Sequence, residues 1–123
     1  MRDFKKLEIW TESIKLVKSI YEISGKLPSE EKFGLKSQIQ RAAVSIPSNI
    51  AEGSSRSSDK EFRYFLEIAI GSSFELETQL IILTQLGLTN CEVAPEIFIQ
   101  LGIIQKKLNA LISKIKTDAT REH

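Results

Sequence analysis

The chain has 123 residues, 41% hydrophobic and 27% charged, which fits one globular domain with its own core and excludes a disordered segment. Its 17 basic and 16 acidic residues leave a net charge of +1, so there is no general basic excess for nucleic acid and any polyanion site has to come from local clustering. One cysteine, Cys91, rules out an internal disulfide, no apolar run approaches the roughly 20 residues of a membrane span, and the charged start Met-Arg-Asp-Phe-Lys-Lys is not leader-like, so a cytoplasmic protein is expected.

Four segments carry helical periodicity. In the first, Leu7, Trp10, Ile14, Val17, Tyr21 and Ser24 keep alternating three- and four-residue steps, which predicts a core seam opposite the solvated Lys5, Glu8, Glu12, Lys15 and Glu22. Gly25 and Pro28 are stop signals. The second segment opens with Ser29 as an N-cap ahead of Glu30, Glu31 and Lys32. Leu35, Ile39, Ala42, Ile46 and Ile50 then form one stripe. Pro47 has no amide to offer Ala43, so the spacing predicts a kink there, not an end, because the stripe stays in phase. Gly53 to Ser57 read as the next loop.

The third segment starts with a capping box, Ser58 and Glu61, and runs through Phe62, Phe65, Ala69, Ser72, Leu76, Leu80 and Leu83 to Gly87. The fourth begins near Pro95 and Glu96 and places Ile97, Leu101, Ile104, Leu108, Leu111 and Ile115 on one face. These elements predict one all-α domain over residues 1–117, with a polar tail at 118–123 that frays. Helices of about 20 to 29 residues, each about 30–43 Å long with short connections, predict an antiparallel up-down-up-down four-helix bundle.

The third helix is apolar on more than its core stripe. At 100° per residue, Tyr64, Ile68, Gly71, Ile82 and Leu86 fall about a third of a turn away, and Ile70, Phe74 and Ile81 lie on a further side. A wide core with stray exposed residues and a subunit interface are both open. The interface reading, built on Tyr64, Ile68, Gly71, Phe74 and Ile82, is favoured because contiguous apolar surface marks association sites.

Enzymatic chemistry is not expected. His123 is the only histidine and stands at the last position, so no Ser-His-Asp or Cys-His arrangement forms within the fold. Neither the Glu-x-x-His pair of di-metal bundles nor a zinc set, a phosphate loop or a dinucleotide fingerprint is present, and no cofactor or metal is expected. Glu75 and Glu77 lie on different helix faces.

Two polar features remain. Gln38, Arg41, Ser45, Asn49 and Glu52 form a stripe that is either a boundary face, with Arg41 paired to a neighbouring carboxylate, or a recognition surface built on the guanidinium. The run Gly53-Ser54-Ser55-Arg56-Ser57-Ser58, with Lys60 and Arg63 after it, is either a capped turn with solvated charges or an anion site weakened by Asp59 and Glu61.

The stretch Gln38 to Gly53, QIQRAAVSIPSNIAEG, closely resembles the signature of the bacterial four-helix-bundle proteins known as 23S rRNA-intervening sequence proteins. FKKLEIW at Phe4 to Trp10, the turn from Gly34 to Ile39 and FLEIAIGSSFELE at Phe65 to Glu77 share the likeness, which covers most of residues 4 to 86. The signature positions are Arg41, Ser45, Pro47, Ser48, Asn49, Glu52 and Gly53, and Arg56 matches the basic residue that commonly follows. The resemblance implies a ring-like homopentamer without catalytic residues. Related bundle proteins serve diversity-generating retroelements as accessory factors, where a basic pentamer engages nucleic acid and a reverse transcriptase. This chain departs from that pattern in its near-neutral charge. The expected function is a non-enzymatic homo-oligomer that binds structured RNA or DNA through repeated Arg41, Arg56, Lys60 and Arg63. The alternative is an adaptor that docks a protein partner on the apolar third helix or the bundle ends.

Overall fold

The computed structural model describes residues 2–27, 34–87, 93 and 95–121. A short 3-10 turn (Phe4–Lys6) leads into four helices: α1 (Glu8–Ser24), α2 (Leu35–Ser54), α3 (Asp59–Leu86) and α4 (Pro95–Arg121). Among the described residues there is no strand. Helix α1 packs against α2 and α4, and α3 packs against the same two helices.

Three of the four predicted stripes face the core. On α2, Ile39, Ala42, Ile46 and Ile50 are buried, and Pro47 stays inside the helix. On α4, Ile97, Leu101, Ile104, Leu108 and Ile115 are buried, and Ile112 is buried beside the half-buried Leu111. On α3, Phe62, Leu66, Ala69, Ser73, Leu76, Leu80 and Leu83 are buried, so Phe65 and Ser72 give their predicted places to the next residue along. Ser58 caps α3 by accepting from the Glu61 amide at 3.1 Å. Gly87 ends it with φ of 62°, a left-handed conformation that glycine adopts at no steric cost.

Helix α1 departs from its predicted seam. The structure buries Ile9, Ser13, Leu16, Ile20 and Ser24, and only Ser24 is common to both sets. Trp10 and Val17 are half-buried against the edge of the core, while Ile14 and Tyr21 are 42% and 46% exposed. The reason lies in two serines that look polar in sequence yet behave as small core residues. Ser13 Oγ donates to the Trp10 carbonyl at 2.9 Å, Ser24 Oγ donates to the Tyr21 carbonyl, and Gln40 Nε2 donates to Ser24 Oγ at 2.8 Å. A hydroxyl satisfied this way is buried at little cost.

Other boundaries move too. Helix α2 begins at Leu35 behind Gly34; the predicted Ser29 cap, its acidic first turn and Cys91 lie outside the described residues. Helix α4 runs on to Arg121, past the end of its apolar stripe. Gly53 is not a loop residue but sits inside α2, where a Cβ would come within 2.8 Å of Phe65 Cβ, 3.1 Å of Phe62 Cδ1 and 3.2 Å of the Phe62 carbonyl. Glycine is there because α2 and α3 touch backbone to side chain. Among the described residues no helix is long and apolar enough to cross a membrane.

In an exposed helix interior Gly→Ala stabilises by about 1 kcal/mol. At Gly53 the sign reverses: Gly53→Ala is expected to destabilise by about 1–3 kcal/mol, read from the midpoint of chemical unfolding, because the Phe65 Cβ cannot rotate away. A stabilised variant would show that α2 and α3 do not approach this closely.

Candidate interaction surfaces

The polar stripe of α2 divides between two roles. Ser45 and Ser72 share a hydrogen bond between their hydroxyls at 2.9 Å, which ties α2 to α3. Asn49 Nδ2 donates to the Ser45 carbonyl at 2.8 Å and to the Ser45 hydroxyl at 2.9 Å, bracing the turn that contains Pro47. These residues therefore hold the helix pair together. Arg41 is different. It is exposed, it donates to Ser37 Oγ at 3.1 Å, and among the described residues it pairs with no carboxylate, contrary to the boundary-face expectation.

The α2–α3 turn gathers charge of both signs. Arg56 pairs with Glu52 one turn back and lies over the Phe65 ring at 4.9 Å. Arg63 is 4.0 Å from Glu67, which Lys116 approaches at 3.8 Å. Arg2 reaches the turn from the N-terminal segment: its amide donates to the Ser54 carbonyl at 3.2 Å, its guanidinium pairs with Asp59, and the same group lies 4.2 Å from the centre of the Phe62 ring. Lys60 is exposed at the start of α3. The structure thus brings Arg56, Lys60 and Arg63 to one end of the bundle and leaves Arg41 about four turns away along α2. Arg56 and Arg63 are half-buried while their carboxylate partners are exposed, so each pair stays accessible to solvent and is weak, about 0.5 kcal/mol.

The apolar residues assigned to an interface on α3 are at the surface. Tyr64 is 59% and Phe74 52% exposed, and Ile81, Ile82 and Leu86 are exposed as well. Ile68 is half-buried, and at Gly71 a Cβ would meet no atom within 4 Å. Ile70, from the third set, packs on the core. A second apolar surface, between α1 and α2, is absent from the sequence-based set. Trp10, Ile14, Val17, Val44, Pro47, Ser48 and Ala51 line an open groove of about 280 Å³. It continues past Val44 into a hollow of about 450 Å³ formed with Tyr21, Ser37, Gln40, Arg41 and Ser45. The signal for it is the Trp10-Ile14-Val17-Tyr21 stripe, which spacing alone assigns to the core.

Among the described residues no group of three or more His, Cys, Asp or Glu is placed to hold a metal ion. Residues 5–110 match the family model of the 23S rRNA-intervening sequence protein, and the chain belongs to that family. No curated protein matches it.

A double-mutant cycle tests the α2–α3 tie. Ser45→Ala and Ser72→Ala are each expected to cost about 1 kcal/mol of unfolding free energy, with a coupling of about 0.5–1 kcal/mol in the double variant. Additive losses would show that the two hydroxyls do not meet in solution.

Proposed function

We propose that the chain is a non-enzymatic subunit of a ring-like homo-oligomer, an up-down-up-down bundle whose assembled form holds structured RNA or DNA. The observation that carries the assembly is the apolar surface left after the core is closed: Tyr64, Phe74, Ile81, Ile82 and Leu86 stand in solvent on one helix. The helix order is supported by cross-contacts that run in opposite directions along successive helices. Ser24 meets Gln40 while Arg2 meets Ser54; Ser45 meets Ser72 while Gly53 meets Phe62. Glu77 accepts from Gln105 while Glu67 meets Lys116.

The placement of cations supports the polyanion reading. No Lys, Arg or His occurs between Tyr64 and Gln105, so all 17 basic residues lie before or after that span. Arg56, Lys60 and Arg63 share one end, where a phosphate can displace the weak pairs that the half-buried Arg56 and Arg63 make with exposed carboxylates. Repeating a modest patch from copy to copy multiplies affinity without a basic monomer. The absence of any histidine before position 123 supports a non-enzymatic role.

Binding of a labelled structured RNA, titrated at about 50 and 200 mM salt, tests this. Affinity is expected to fall steeply with salt. Arg56→Ala with Lys60→Ala is expected to reduce both the affinity at low salt and the salt slope, the latter by about 2. Unchanged affinity in that variant removes the site. Absence of RNA binding at low salt turns the reading to the adaptor, whose apolar docking barely responds to salt.

A further inference from the structure

Resting on the polyanion reading, we infer that Arg2 sets the strength of the α2–α3 turn site by cancelling the charge of Asp59. The N-terminal segment thereby belongs to the phosphate-binding end of the bundle. Arg2 acts through Asp59, as a positioning residue, while Arg56, Lys60 and Arg63 meet the phosphates.

The cation cluster carries an acidic residue in its midst. Asp59 stands directly before Lys60 and one helical turn before Arg63. Its side chain is exposed, and left alone it would repel a phosphate that approaches the same end. The four-residue spacing also makes Arg63 its natural partner, a pairing that would take a cation out of the cluster. The structure pairs them differently. Asp59 is held by Arg2, 57 residues away in the chain, and Arg63 is left with Glu67 at 4.0 Å.

Arg2 is fixed by more than its partner. Its backbone amide donates to the Ser54 carbonyl at 3.2 Å, which ties the segment to the end of α2. Its guanidinium lies 4.2 Å from the centre of the ring of Phe62, a buried residue of α3. Nη1 donates to the Arg56 carbonyl at 3.5 Å. The end of α2, the turn and the start of α3 thus each hold the cation beside Asp59. An exposed ion pair of this kind adds little to stability. Its effect on a third charge is larger in consequence, because the repulsion it removes reaches about 10 Å at 0.1 M salt.

Charge variants test the inference with the same labelled structured RNA. Arg2→Met keeps an apolar chain over Phe62 and loses the cation. At about 50 mM salt it is expected to weaken binding about three- to tenfold, with a smaller deficit at about 200 mM, where screening shortens the reach of Asp59. Adding Asp59→Asn is expected to return the affinity to within about twofold of the unmodified protein, since the charge that Arg2 cancels is then gone. Asp59→Asn alone is expected to bind at least as tightly as the unmodified protein. A purely structural tie gives the opposite pattern: Asp59→Asn alone weakens binding, and the double variant shows no recovery. Either of those results, or unchanged affinity in Arg2→Met, overturns the inference and leaves the three-cation site standing. Circular dichroism checks that each variant folds; should Arg2→Met fail to, the sign of the change in Asp59→Asn alone decides. Absence of RNA binding by the unmodified protein at low salt sinks the polyanion reading itself, and the inference with it.

Discussion

Helix α2 passes α3 so closely at Gly53 that a single added methyl would stand 2.8 Å from Phe65 Cβ. Much of the molecule follows from that contact. It lets α2 continue to Ser54, so the connection to α3 is short and Ser58 can cap the next helix at once. It sets the depth at which Ser45 meets Ser72 further along the same pair. It also places the Ser54 carbonyl and Asp59 where the N-terminal segment reaches both through Arg2. A larger residue at position 53 would push α2 outward and loosen each of these in turn.

With α2 and α3 so tightly engaged, the apolar residues that find no room inside become the informative ones. Four helices enclose one core, and that core is filled by one stripe from each. Ile14 and Tyr21 on α1 and Tyr64, Phe74 and Ile82 on α3 are surplus to it, and Trp10 and Val17 reach only its edge. Burying Tyr or Phe side chains is worth about 1.5–3 kcal/mol each relative to exposure, so the unassembled chain forgoes a substantial stabilisation that a second copy can supply.

The stripes of α2 and α4 are legible in the sequence because each is a single apolar set at helical spacing, and that of α3 because its heaviest set runs from the Ser58 cap to Gly87. Helix α1 is not, since it carries two overlapping sets and the one that contains Trp10 and Tyr21 outweighs the one interrupted by Ser13 and Ser24. Only the backbone carbonyls that receive those hydroxyls make the lighter set the core. Gly53 reads as a stop signal because glycine usually ends helices, and its role as a gap for Phe65 depends on a neighbour across the bundle. Among the candidate cations, the Glu52–Arg56 pair is visible in the four-residue spacing, whereas Arg2 with Asp59 joins residues far apart in the chain. Sequence spacing thus finds the elements, and tertiary contacts decide which of two faces each one buries.

The account rests on these apolar faces being covered in solution. The most direct measurement is the thermal unfolding midpoint of the unmodified protein over about a hundredfold range of concentration. Association couples to folding by mass action, so the midpoint is predicted to rise by several degrees from the lowest concentration to the highest. A midpoint that stays constant across the range would mean that the faces remain bare and that the chain works as a single bundle.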